Sequence, residues 1–144
     1  MTIEERLDAL YAELPHLECK GLCAVSCGAI SMGLHEARRL EQLSGEPLRL
    51  MATLDQNCPY LEGARCSVYD VRPLVCRLWG MVDAPDLRCE HGCAPDRWLT
   101  HAEALRLVRR SLAISGGKEV TTVRGGLAEA DRQFQAGQRA RPPH

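Results

Sequence analysis

Eight cysteines, Cys19, Cys23, Cys27, Cys58, Cys66, Cys76, Cys89 and Cys93, stand out in a chain of 144 residues that carries one Phe, three Tyr and two Trp. The first three form a C-x3-C-x3-C run, and Cys58 directly precedes Pro59. Cys66 and Cys76 stand singly, and Cys89 and Cys93 make a last C-x3-C pair. Thiolates bind soft and borderline metals, and several on one short loop need tight turns to converge on an ion. Gly21, Gly28 and Gly92 stand where such turns are needed. An even count also admits a disulfide framework, which requires an oxidising compartment. The opening Met1-Thr2-Ile3-Glu4-Glu5-Arg6-Leu7 has neither the basic nor the apolar region of an export signal. The expectation is a cytoplasmic chain whose reduced thiols hold metal, with all eight cysteines as candidate ligands.

Structural zinc sites favour paired C-x2-C knuckles, and the sequence has none. Iron–sulfur centres use three closely spaced cysteines and a remote one, often before Pro, an outline that Cys19, Cys23, Cys27 and Cys58-Pro59 follow. The spacing is neither the C-x2-C-x2-C of ferredoxins nor the C-x3-C-x2-C of radical enzymes that cleave S-adenosylmethionine. Eight thiolates exceed the need of one tetrahedral ion, so either two sites exist or one site has accessory thiols. His91, inside the last pair, is a further donor by type, although an exposed loop histidine is the plainer reading. Cys66 and Cys76 read equally well as buried thiols.

Helices must position these loops. Residues 2–14 place Ile3, Leu7, Leu10, Tyr11 and Leu14 at helical spacing behind a Thr2/Glu5 capping box, and Pro15 follows. Ser31 is expected to cap a second helix bearing Leu34, Ala37, Leu40 and Leu43, which Gly45 and Pro47 end. Residues 48–70 read as irregular, with a short strand near Ser67–Tyr69. Pro73 suits the first position of a short helix from Leu74 to Trp79 that carries Cys76 and stops at Gly80. After a loop over 81–97, Thr100 and Glu103 open a helix with the stripe Leu105, Val108 and Leu112, ended by Gly116-Gly117. A short strand is expected over Glu119–Val123, a short helix over Leu127–Ala136, and a disordered tail over 137–144. The expected fold class is mainly α, with little or no β. It is a small single-domain scaffold over residues 1–136, stapled by metal in its cysteine-rich loops.

A net charge of −1 lacks the basic signature of a nucleic-acid binder, and no run of 18 apolar residues could span a membrane. Phosphate-loop, dinucleotide, H-E-x-x-H and G-x-S-x-G patterns are absent, so no catalytic residue is singled out.

The stretch Cys58-Pro-Tyr-Leu, followed by Cys66-Ser-Val-Tyr69-Asp-Val-Arg72-Pro73-Leu-Val-Cys76-Arg77, resembles the YkgJ-type cysteine-cluster family, described as a zinc- or iron-chelating domain. That family combines an N-terminal cysteine cluster with C-P-x-L and C-x-x-Y-x-x-R-P-x-x-C-R, and the likeness spans residues 19–93. One departure is Cys27-Gly28, where many members have adjacent cysteines. Flagellin lysine methylases carry a similar cluster with a four-iron four-sulfur (4Fe–4S) centre. The resemblance therefore implies an iron–sulfur centre, with zinc as the alternative and S-adenosylmethionine-linked methyl transfer as a further analogy. Arg72 and Arg77, flanking Cys76, would then hydrogen-bond to cofactor sulfur and offset its negative charge, while Tyr69 and Trp79 would exclude water. The plainer alternative pairs either arginine with Asp70 or another surface acid. The implied partner is a redox protein or small molecule.

Overall fold

A computed structural model describes residues 1–19, 27–54, 56–124 and 136. The first helix, α1 (Ile3–Ala12), starts where local chemistry directs it. Thr2 Oγ1 accepts the Glu5 N–H at 3.1 Å, and the Glu5 carboxylate accepts the Thr2 N–H at 2.8 Å. The last helix, α4 (His101–Ile114), opens on the same reciprocal device between Thr100 and Glu103. Two consecutive glycines with positive φ, Gly116 and Gly117, follow it, and the Gly117 N–H satisfies the Leu112 carbonyl.

Between them lie β1 (Ser31–Gly33), α2 (Leu34–Ser44), β2 (Leu61–Glu62), β3 (Arg65–Cys66) and α3 (Leu74–Arg77), and β4 (Glu119–Thr121) follows α4. Strand β1 pairs antiparallel with β4, Met32 facing Val120, and β2 pairs antiparallel with β3, Leu61 facing Cys66. Isolated bridges join Leu17 to Pro95, Met51 to Val123 and Val82 to Leu99. These pairings correct the expectation of a mainly α fold with little or no β: the structure is about 39% helical and 14% strand, with two small antiparallel sheets. The cause is that segments too short to read as strands are completed by partners far away in sequence. No helix among the described residues is long and apolar enough to cross a membrane.

Four local expectations shift. Ser31 does not cap α2. It enters the ladder with Thr121, and Gly33 takes the cap position. The strand expected near Ser67–Tyr69 lies earlier, at Arg65–Cys66, and Tyr69–Val71 forms a 3-10 turn. Helix α3 ends at Arg77, and Pro73 is its N-cap rather than its first residue. The α4 stripe is also displaced: Ala104, Leu107 and Ser111 are buried, whereas Leu105 is 41% exposed. The expected helix over Leu127–Ala136 and the tail beyond it lie outside the described residues, apart from Ala136.

One core joins α1, α3 and α4 through Leu10, Leu74, Leu78, Met81, Leu99 and Leu107. A second gathers Met32, Ala37, Leu40, Tyr60 and Val68, with Cys58 and Cys66 packed against it. Glu36 lies at the junction, 1% exposed. Its carboxylate accepts the Gly33 N–H at 3.3 Å, the Tyr11 hydroxyl at 2.6 Å and the Leu74 N–H at 2.6 Å. It thereby binds α1 to α2 and caps the first N–H of α3, a role Pro73 cannot fill because its side chain has no acceptor. Burial, and then the Glu36 carboxylate, push the Tyr11 hydroxyl pKa far up, so it stays a donor.

The β1–α2 junction also lies hard against α4. A Cβ on Gly33 would come within 2.6 Å of Ser115 Oγ and 3.2 Å of the Ser111 carbonyl oxygen. Glu36→Gln leaves a single acceptor oxygen for three donors and should cost about 2–4 kcal/mol, while Tyr11→Phe should cost about 1 kcal/mol. Urea unfolding of the full chain measures both. Equal small losses would contradict a central role for Glu36.

Candidate metal centre

Cysteines from four places in the chain influence one another electrostatically, and two of them, Cys58 and Cys66, pack against the second core. Cys58 stands just before the β2–β3 hairpin, Cys66 ends β3, Cys76 lies in α3, and Cys27 precedes β1. A backbone hydrogen bond of 2.8 Å from the Cys58 N–H to the Cys27 carbonyl ties the first two together. The hairpin is organised by Tyr60, whose ring is almost wholly buried. Its carbonyl accepts the Ser67 N–H at 2.9 Å and the Ser67 hydroxyl at 2.6 Å. Its hydroxyl accepts the Arg49 N–H at 3.0 Å, and the Arg49 guanidinium covers its ring and donates to the Pro59 carbonyl. The aromatic ring after Cys58-Pro59 is thus the anchor that presents Cys58 and Cys66 on one side.

Electrostatics show that these thiols share a neighbourhood. Burial pushes the Cys76 thiol up to about 12, and Cys58, Cys27 and Cys66 push in the same direction, because each would add a negative charge nearby. Arg72 opposes them and is the cation that favours a Cys76 thiolate. Burial likewise raises Cys58, against hydrogen bonds from the backbone N–H groups of Tyr60 and Leu61 that favour its thiolate, and Cys66 raises it further. Such N–H donors around sulfur are the surroundings a metal-bound thiolate uses. Cys58, Cys66 and Cys76 are unbridged thiols. Among the described residues no group of three or more Cys, His, Asp or Glu side chains stands in metal-holding geometry. Cys58 with its backbone N–H donors and Cys76 with the Arg72 cation nearby are thiols whose ionised forms a thiophilic cation would stabilise.

The two motif arginines have different surroundings. Arg72 stacks on Tyr69 at 3.8 Å from the ring centroid and donates to the Tyr69 carbonyl at 2.9 Å. Arg77 donates to the carbonyls of Arg72 at 2.7 Å and Asp70 at 3.1 Å, and covers the Tyr11 ring at 4.0 Å. Arg77 therefore clamps the turn that leads into α3 and hence the position of Cys76. Tyr69 and Trp79 are 45% and 41% exposed, on the outer surface.

The remaining cysteines belong to other segments. Cys19 is exposed, Cys89 is half-buried and Cys93 is buried. Cys23 lies outside the described residues. His91 has its Nε2 3.7 Å from the Glu90 carboxylate. Sequence reasoning missed Glu36, Tyr60 and Arg49. Glu36 was signalled by its place three residues after Gly33, the N3 position of a capping arrangement, which the assignment of Ser31 as cap concealed.

Residues 18–111 match the CxxCxxCC family, described as a "putative zinc- or iron-chelating domain", and the chain belongs to that family. No curated protein and no solved structure matches the chain. Metal chelation is thus the family's described property, and the likeness expected from the C-P-x-L and R-P-x-x-C-R motifs is confirmed.

A pH response follows from Cys76. The folded, metal-free chain keeps its proton up to about 12, whereas an ordinary cysteine releases it near 9.0. The folded state then binds more protons than the unfolded one, so stability is full below the lower value. It falls as pH rises between the two, by at most about 1.4 kcal/mol per pH unit from this group. The urea midpoint of reduced, metal-free protein should drop across that range, and Cys76→Ala should flatten the drop. A midpoint that holds or rises would contradict the assigned burial of this thiol.

Proposed function

We propose that the chain binds its metal through Cys27, Cys58, Cys66 and Cys76 and that the resident group is an iron–sulfur centre used in electron transfer with a partner protein or small molecule. The observation that carries this reading is that Cys27, Cys58 and Cys66 lie near enough to the buried Cys76 thiol to disfavour its ionisation, with the Arg72 cation as the counterweight. An all-thiolate set is the usual ligand environment of iron–sulfur clusters, and a cluster so held bears net negative charge that a nearby guanidinium offsets. Such a group supplies one-electron transfer when bound.

The chain's own residues do the rest. Tyr60 and the β2–β3 hairpin hold Cys58 and Cys66, Glu36 and Arg77 set the start of α3 and so the place of Cys76, and the N–H groups of Tyr60 and Leu61 favour the Cys58 thiolate. Zinc is the second reading, favoured by the family's described choice of zinc or iron and by a sulfur donor set that zinc also accepts.

Oxygen-free purification of the full chain separates the two. The iron–sulfur reading expects brown protein with iron and acid-labile sulfide in about equal amounts and broad absorbance near roughly 400 nm. Cys58→Ser and Cys76→Ser should each remove most of that absorbance. Arg72→Leu should retain iron yet lower the reduction potential, because removing a nearby cation disfavours the added electron. Colourless protein containing zinc and no sulfide would overturn the proposal in favour of the second reading.

A further inference from the structure

Helix α4 carries charge that neither the cores nor the cysteines use. Glu103, Arg106 and Arg110 stand three and four residues apart along it and so share one face. Glu13, at the C-cap of α1, and Arg97, in the segment before α4, border the same face. Together these side chains line an open cleft of about 300 Å³ whose apolar lining is the buried pair Leu99 and Leu107. That volume lies at the lower end of the range of small-molecule sites.

Two of the three guanidiniums are balanced. Arg110 grips Glu13 with both prongs, Nη1 to Oε1 at 2.8 Å and Nη2 to Oε2 at 2.5 Å. Arg97 Nη1 donates to Glu103 Oε2 at 3.1 Å, and the other Glu103 oxygen accepts the Thr100 N–H at 3.2 Å. Arg106 is exposed and makes no hydrogen bond or ion pair among the described residues. It nevertheless lies close to Glu13: the Arg110 hydrogen bonds, and after them the charges of Arg110 and Arg106, hold the Glu13 carboxyl below its ordinary range. Three cations thus face two carboxylates, and one positive charge is in excess. A guanidinium has five N–H donors, so Arg106 offers all of its own, and Arg97 and Arg110 keep several that their carboxylates do not take.

We propose that this cleft binds a small phosphate-bearing anion, with Arg106 as its principal contact and spare N–H groups of Arg97 and Arg110 completing the site. Guanidinium forks match phosphate oxygens two at a time. A terminal phosphate presents three acceptor oxygens, which suits donors from three arginines better than the two oxygens of a carboxylate. Glu13 and Glu103, each neutralised by its own arginine, oppose such a ligand less than free carboxylates would. The proposal does not depend on what the cysteines hold.

Calorimetric titration of the full chain at low ionic strength, with inorganic phosphate and with phenyl phosphate, tests the site against sodium chloride at matched ionic strength. Saturable uptake of about one equivalent is expected. Arg106→Gln should weaken it about tenfold, because charged donors with no partner in the protein are lost, and should leave the circular dichroism unchanged. Arg109→Gln removes the same charge from the same helix outside the cleft and should keep the affinity within about twofold. Tighter binding of phenyl phosphate would support the site with an organic phosphate as its ligand, and tighter binding of inorganic phosphate would support it with the free ion. Absence of saturable heat with both anions would overturn the proposal. So would equal weakening by Arg106→Gln and Arg109→Gln, which would show only diffuse attraction to α4.

Discussion

The buried carboxylate of Glu36 is the interaction on which the arrangement turns. It is 1% exposed and accepts hydrogen bonds from three elements: the Tyr11 hydroxyl of α1, the Gly33 N–H at the start of α2, and the Leu74 N–H at the start of α3. A carboxylate out of water is costly unless its oxygens are satisfied, and here strong donors converge on both. Arg77 covers the Tyr11 ring that binds this carboxylate and also clamps the turn before α3. The position of Cys76 therefore depends on a polar contact in the protein's interior, two residues away in α3. The family's R-P-x-x-C-R motif acquires a physical reading from this: Pro73 and Arg77 set the helix start, and Arg72 supplies charge near the sulfur.

The Cys58 and Cys76 thiols are held in their protonated, neutral form. Four thiols near one another resist ionisation, and burial adds to the resistance at Cys58 and Cys76. Were these thiols to bind a metal, the ion would replace their protons, and its affinity would weaken on acidification. Cys58 and Cys66 also serve the interior, since they pack against the second hydrophobic core and extend it.

Local chemistry was legible in the sequence, and non-local pairing was not. Both reciprocal capping boxes, Thr2 with Glu5 and Thr100 with Glu103, were readable because their partners lie within one turn. Ser31 was misread as a cap because its partner, Thr121, is supplied by a distant strand. The α4 stripe shifted because close packing on α1 and β1 favours the small Ala104 and Ser111 over Leu105. Membership of a family described as zinc- or iron-chelating was legible in the cysteine motifs. The place of Cys27 was hidden, because the spacing groups it with Cys19, while the backbone bond from the Cys58 N–H draws it to the hairpin.

X-ray absorption at the iron edge of oxygen-free, as-purified full chain tests the central claim most directly, because it reads the atoms bound to the metal. The account predicts a first shell of sulfur alone at about 2.3 Å with a neighbouring iron beyond it, and loss of that shell in Cys76→Ser. A first shell of oxygen or nitrogen, or a sulfur shell unchanged in Cys76→Ser, would contradict it.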